Sequence, residues 1–184
     1  MLSKNDEMTL MTFNNDKATM APRHILTLIR PEHWVKNLFL FIPAFFAARL
    51  FTPTVFMAAV LGFAAFCLIA SAVYVLNDLV DAPQDRNHPD KRLRPIASGQ
   101  ISTRQGIFIL VALLFGGTAL AAYLSREMLV FSLLYFIVNV FYSFSLKHIA
   151  IVDISLIGLG FLMRVFAGGA VTGVKVSQWL IVLT

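Results

Sequence analysis

Four aspartates and four Lys or Arg residues crowd into "NDLVDAPQDRNHPDKRLRPIASG", residues 77–99, of a chain that is 58% hydrophobic. Asp78, Asp81 and Asp85 stand at i, i+3 and i+7, which on a helix confines them to an arc of roughly 60° with Asn77 on its flank. Carboxylates so placed repel one another unless a cation sits among them. All-oxygen ligation with room for water suits Mg²⁺, which binds through one or two carboxylates together with substrate phosphates. Arg86, His88, Lys91, Arg92 and Arg94 follow directly, and their N–H groups suit phosphate oxygens, the arginines bidentately. The pattern implies acid for a metal and base for a diphosphate. A solvated connector of mixed charge is the ordinary alternative, and spacing by itself does not exclude it. Pro83 has no amide donor and disfavours helix at Ala82, which leaves Asp78 and Asp81 as the firmer pair.

The elements that must position these residues are set by the solvent. A mean hydropathy of +0.77 with 14% charged residues leaves more apolar surface than a soluble core of 184 residues can hide. The composition indicates a polytopic membrane protein. A net charge of +5 then reads as basic loops against anionic head groups or phosphates rather than as nucleic-acid binding. The single cysteine, Cys67, sits within an apolar run, so a disulfide framework and a thiolate metal site are both excluded. Residues 1–22 are polar, mixed in charge and without an apolar h-region, which implies a disordered tail rather than a signal peptide, ahead of one transmembrane domain at 23–184.

Crossing the hydrocarbon takes about 20 apolar residues in a helix. Residues 55–76, 105–124 and 128–146 supply 22, 20 and 19 without a charge. A further crossing begins near Trp34 and carries Lys36 and Arg49 at its ends, where their stems snorkel. Residues 151–174 form another despite Asp153 and Arg164, and "SQWLIVLT" reads as the start of a sixth. Because backbone amides in lipid must be satisfied within their own segment, the expected fold is all-α, with five complete spans and a stub. Alternating these spans puts eleven Lys and Arg on one side and Arg49, Arg126 and Lys175 on the other, so the N-terminus and the acidic loop are expected on the cytoplasmic face of the inner membrane.

Ionisable residues within a span face a polar cavity or a partner. Asp153 and Arg164 are eleven residues apart, on one helix face but separated by roughly 16 Å, so they do not pair directly. Either both line a cavity, or each pairs with a different helix. Asn139, Tyr142 and Ser143 form a polar patch at helical spacing. His88, beside Pro89, suits a phosphate donor or a local turn cap, and His24, His33 and His148 have no ligand spacing.

"NDLVDAPQD" resembles the first aspartate-rich motif, N-D-x-x-D-x-x-x-D, of the UbiA superfamily, membrane enzymes that use Mg²⁺ to transfer groups activated as diphosphates. More narrowly, "RPEHWVKN" at 30–37, "DRNHPDKRLRPIASG" at 85–99, "YSFSLKHIAIVD" at 142–153 and "SQWL" at 177–180 are similar to the decaprenyl-phosphate phosphoribosyltransferase branch. The resemblance implies transfer of phosphoribose from phosphoribosyl diphosphate to a polyprenyl phosphate, for cell-envelope precursor synthesis, with release of diphosphate. It implies Asp78, Asp81 and Asp85 as Mg²⁺ ligands, oriented by Asn77. Lys36, Arg86, Lys91, Arg92 and Arg94 would grip phosphates, with Asn37, Asn139, Tyr142, Lys147, Asp153 and Arg164 completing the substrate-binding set. An anionic lipid phosphate needs no strong general base, which suits a sequence with no obvious catalytic histidine.

The family fold has about nine helices and a second polar or acidic cluster in its later half. The expectation is thus a chain truncated relative to that fold, whose cavity needs a C-terminal half or a homo-oligomer for completion. An aromatic prenyltransferase using a polyprenyl diphosphate donor is the near alternative, although such enzymes typically lack the H-P-x-K-R element and the R-P-x-x-W-x-K-N lead-in. A non-catalytic membrane protein with a lipid-binding basic loop is the distant one, and it leaves the aspartates unexplained.

Overall fold

A computed structural model of the chain describes residues 21–143 and 150–183, with the side chains of 150–154 and 183 excepted. Among the described residues every regular element is helical, as the composition requires. Helix α1 (Pro22–Ile29) ends at Arg30, whose backbone is left-handed (φ 51°, ψ 63°) and whose N–H reaches Leu26 O at 3.2 Å. The cause is local: the residue before a proline is disfavoured in the right-handed helical region, and Pro31 follows. The chain turns there and resumes as a 3₁₀ helix, Pro31–Phe41, which passes into the short α2 (Ile42–Phe46).

This composite replaces the first expected crossing. At about 2.0 Å per residue in the 3₁₀ part and 1.5 Å in the α part, it covers roughly 30 Å. An unusually long 3₁₀ run thus gives a short sequence the reach of a span. It packs closely on α6 (Ala150–Thr172), where a Cβ on Gly168 would lie 2.0 Å from Leu40 O. Only glycine fits that contact.

Helix α3 (Pro53–Asp85) is the central element, and at 33 residues it is about 50 Å long. It outruns the apolar thickness, so its last turns, from Asn77 onward, carry the acidic motif beyond the greasy run. Pro83 does not end it: the helix is continuous to Asp85, and Pro83 itself is exposed. The connection after Asp85 contains a 3₁₀ turn, Lys91–Leu93, and folds back on the bundle. Pro95, Ile96, Ala97 and Ile101 are buried there, Ile96 and Ile101 against Leu28, Val75, Ala82 and Ile109.

Ser102 then opens α4 (Thr103–Leu124) with a capping box, accepting from Gln105 N–H while Gln105 Oε1 accepts from the Ser102 N–H. Ser125 caps α5 (Arg126–Phe141) in the same way from Met128 N–H at 3.0 Å. After α6, Gly173 turns the chain at φ 65° before α7 (Gln178–Leu183).

The main core lies around α3, where Phe66, Ile69 and Val73 meet Leu40, Met128, Tyr135 and Met163. The outer face of α4 leaves Ile107, Phe108, Val111 and Phe115 exposed, an arrangement suited to lipid rather than water. Among the described residues three helical stretches are long and apolar enough to cross a membrane: Pro53–Asp85, Thr103–Leu124 and Ser155–Thr172. Of the five expected spans, these are the ones met by single long helices. The 34–49 crossing is the 3₁₀ composite, and α5 has 16 residues, about 24 Å. The expected tail lies largely outside the described residues.

Candidate functional site

The last turns of α3 present two adjacent faces rather than one. Ser71, Val75, Asp78, Ala82 and Asp85 are all buried, spaced by three or four residues, and form the face turned toward α1 and the loop. Tyr74 and Asn77 line a cavity on the neighbouring face, and Asp81, four residues beyond Asn77, continues that stripe.

On the first face the acids are paired. Asp78 is 2% exposed, and its Oδ1 accepts from Arg30 Nη2 at 2.6 Å and lies 3.5 Å from Arg94 Nη1. Arg94 Nη1 also donates to Asp85 Oδ2 at 2.7 Å, and Asp85 is 4% exposed. Two arginines thus hold two buried carboxylates. The left-handed turn at Arg30 is what brings its side chain here, and the guanidinium also lies 5.3 Å from the centre of the Tyr74 ring. The turn is locked from behind: Ser71 Oγ donates to Ile29 O and accepts from Trp34 Nε1, both at 3.0 Å.

On the second face lies a cavity of about 290 Å³, walled by the 3₁₀ segment, α3, α5 and α6. Its polar lining is Lys36, Tyr74, Asn77, Asn139, Tyr142 and Arg164, with Tyr135, and its apolar side is Leu156, Ile157 and Phe161. Two cations and no carboxylate line it among the described residues. Arg164 is 5% exposed and donates from Nε to Asn37 Oδ1 at 2.7 Å and from Nη2 to Tyr135 Oη at 3.1 Å. Its guanidinium carbon sits 4.8 Å from the Tyr135 ring centre and 5.6 Å from those of Phe66 and Phe161. Asn37 in turn donates from Nδ2 to Cys67 Sγ at 3.2 Å. A neutral amide, a phenol and three ring faces surround a buried cation, and no ion pair to it exists among the described residues.

Most of the predicted site residues converge here, in two groups. Lys36, Asn77, Asn139, Tyr142 and Arg164 share the cavity, and Asn37 reaches it by holding Arg164. Asn77 does not orient the aspartates: its Oδ1 accepts from Ser143 Oγ, tying α3 to the end of α5. Asn139 Nδ2 donates to Tyr135 O at 2.7 Å, and the single Ser143 Oγ–H is shared between Asn77 Oδ1 and Asn139 O, the latter at 2.8 Å. Arg94 is turned inward onto Asp85 and Asp78, whereas Arg86, Lys91 and Arg92 are exposed and make no ion pair among the described residues. His88 Nδ1 accepts from the N–H groups of Asp90 and Lys91 at 3.2 and 3.4 Å, the geometry of a turn cap. Lys147 and the Asp153 side chain lie outside the described residues. Arg30 and Tyr135 are not among the residues predicted from the sequence. Arg30 had a signal, a cation immediately before a proline within a quoted motif; Tyr135 had none, since it is an aromatic in an apolar run.

The aspartates do not form a three-carboxylate cage: no group of three His, Cys, Asp or Glu converges on a metal position among the described residues. Asp85 is engaged by Arg94. A two-carboxylate set does fit a hard cation, because Asp78 Oδ2 is buried without a hydrogen-bond partner among the described residues and Asp81 stands one turn on. Mg²⁺ typically takes one or two carboxylates and completes its shell with water and substrate phosphate.

The family model described as the UbiA prenyltransferase family matches residues 37–184. The chain is 34% identical over 181 residues to a protein of Mycobacterium tuberculosis named decaprenyl-phosphate phosphoribosyltransferase, covering 92% of this chain and 59% of that one. It is 30% identical over 178 residues to the protein of the same name from Corynebacterium glutamicum, covering 92% and 53% respectively. Among solved structures it is similar to a UbiA homologue from Archaeoglobus fulgidus bound to GPP and Mg²⁺, with a TM-score of 0.73 and 25% identity over 86% of this chain and 57% of that one. The chain spans about half the length of the curated relatives it matches.

Proposed function

The chain belongs to the UbiA prenyltransferase family, and we propose that it takes part in transfer of phosphoribose from phosphoribosyl diphosphate to a polyprenyl phosphate, with release of diphosphate. The observation that carries this reading is the pairing, on adjacent faces of one helix, of a carboxylate whose buried oxygen has no hydrogen-bond partner among the described residues, Asp78, and a cavity lined by Lys36 and Arg164. A polyanionic donor needs a metal, and an anionic acceptor needs cations. Relatives bearing the phosphoribosyltransferase name, at 30% and 34% identity, support the choice of donor and acceptor. The A. fulgidus structure with Mg²⁺ bound supports the metal.

In the proposed reaction an oxygen of the lipid phosphate bonds to C1 of the ribose while the bond from C1 to the diphosphate oxygen breaks. Mg²⁺, when bound, would neutralise charge on the departing diphosphate. Asp78 and Asp81 would hold it, with Asp85 kept in the structural pair with Arg94. Arg30 and Arg94 hold the Asp78 carboxyl group in place. Arg86, Lys91 and Arg92, exposed on the loop beside this end, would draw in the donor's phosphates on the cytoplasmic side. The acceptor phosphate is already anionic near neutral pH, so no residue has to remove a proton.

The test offers membranes containing the protein radiolabelled phosphoribosyl diphosphate with decaprenyl phosphate and, in parallel, a polyprenyl diphosphate with an aromatic acceptor. The proposal expects a Mg²⁺-dependent lipid-linked phosphoribose in the first arm. A prenylated ring in the second arm, with nothing in the first, overturns it.

A further inference from the structure

We propose that Arg30 is a positioning residue for the metal: it clamps one oxygen of Asp78 so that the other, Oδ2, is held out to the cation. This deepens the reading above and rests on it for the presence of a metal, but not for the reaction catalysed. The first ground is how the carboxylate is divided. Arg30 Nη2 lies 2.6 Å and Arg94 Nη1 3.5 Å from the same oxygen, Oδ1. Oδ2 is buried and has no hydrogen-bond partner among the described residues. A carboxylate gripped at one oxygen keeps one orientation, and the oxygen left over is the one available to a cation.

The second ground is how Arg30 itself is held. Its backbone is left-handed, at φ 51°, a conformation that a residue with a side chain keeps only when its surroundings enforce it. The enforcement comes from α3. Ser71 Oγ donates to Ile29 O and accepts from Trp34 Nε1, which fixes the chain on both sides of the turn. The Tyr74 ring centre lies 5.3 Å from the guanidinium carbon and 5.2 Å from that of the His33 ring. Ser71, Tyr74 and Asp78 follow at i, i+3 and i+7, so successive turns of α3 receive the arm 29–34. An arginine serving only as a charge would need none of this.

The third ground separates positioning from two other roles for the same cation. A competitor for the metal would have to reach Oδ2, and a phosphate ligand would have to turn its donors away from Asp78. The fixed turn opposes both movements. The Arg30 side chain is also only 23% exposed, whereas Arg86, Lys91 and Arg92 stand exposed on the loop, where a soluble anion meets them first. Groups that hydrogen-bond a ligating carboxylate change metal affinity about tenfold to a hundredfold when removed, without touching the metal.

The experiment is Mn²⁺ titration of the purified chain in detergent, followed by electron paramagnetic resonance, with and without diphosphate. Arg30→Met is expected to weaken Mn²⁺ about tenfold to a hundredfold in both arms, and Arg30→Lys, which keeps the charge without the planar fork, about threefold. Ser71→Ala, which touches no carboxylate, is expected to weaken Mn²⁺ about twofold to fivefold in the parent and to add nothing in an Arg30→Met background, because its effect passes through Arg30. Helicity and thermal unfolding are recorded for each variant, and Arg30→Lys carries the test if Arg30→Met does not fold. Affinity unchanged in folded Arg30→Met, or in Arg30→Lys when the other variant fails to fold, overturns the proposal. Tighter Mn²⁺ binding also overturns it, since Arg30 would then be a competitor. A loss confined to the arm with diphosphate does so too, since Arg30 would then be a phosphate ligand. If Mn²⁺ affinity depends on Arg30 while the transfer assay yields no product, the positioning role stands and the reaction assignment falls.

Discussion

The acidic end of α3 and the cavity beside it are a few ångströms of helix apart in sequence terms, yet they solve the problem of burying charge in opposite ways. At the first, each buried carboxylate has an arginine: Asp78 with Arg30, Asp85 with Arg94. At the second, Arg164 is as buried as either aspartate but rests on Asn37, Tyr135 and three aromatic rings. A buried carboxylate beside a guanidinium has its charge compensated, whereas a buried cation held by neutral dipoles does not. The difference separates carboxylates held by arginines from a cation held by neutral groups.

The same chemical change at the two ends should therefore have different consequences. Arg94→Met removes the partner of a carboxylate that is 4% exposed, and because Arg94 is itself 27% exposed the expected loss is about 3 kcal/mol, the low end for breaking a buried pair. Thermal or denaturant unfolding in micelles would measure it, and an unchanged midpoint would mean that the pair is not formed. Next in size, Asp81→Asn should cost the transfer reaction about a hundredfold, or ~2.7 kcal/mol in barrier, with unfolding unaffected. Retained turnover at ordinary Mg²⁺ would remove Asp81 from the metal site.

Arg164→Met sharpens the contrast most. It strands no opposite charge among the described residues but leaves the buried Asn37 Oδ1 without its donor, so the expected loss is about 1–2 kcal/mol, smaller than that of Arg94→Met. A loss as large as that of Arg94→Met would reveal a hidden acidic partner and dissolve the distinction. Smallest of all, Arg92→Gln on the exposed loop should change donor affinity by no more than a few-fold, and only at low ionic strength, because exposed charges are screened. An effect that persists at high salt would mean direct contact with the donor.

Much of this was legible in the sequence, for reasons that can be located. Run length and hydropathy sufficed for α3 and α4, since an uninterrupted apolar stretch in lipid has no alternative to a helix, and also for α6 despite Asp153 and Arg164 within it. They did not reveal the 3₁₀ path of Pro31–Phe41, which depends on tertiary contact with Gly168. The aspartates do fall within a narrow arc of α3, but that arc straddles two faces with different neighbours, so one cluster became a paired set and a cavity-side residue. Spacing fixes direction along one helix and says nothing of what is packed opposite. Arg164 was visible as an anomaly within a span; its partners Asn37 and Tyr135, 127 and 29 residues away, were not.

The division of labour between the two ends is tested most directly by measuring two affinities on two variants: Mn²⁺ binding by electron paramagnetic resonance in the presence of diphosphate, and farnesyl phosphate binding in EDTA, for Asp81→Asn and Arg164→Lys. Asp81→Asn should weaken Mn²⁺ by about tenfold to a hundredfold without weakening farnesyl phosphate, while Arg164→Lys, which keeps the charge but loses the planar fork, should weaken farnesyl phosphate several-fold and leave Mn²⁺ untouched. A single substitution that weakens both ligands alike would contradict the account, because metal and lipid phosphate would then share one site.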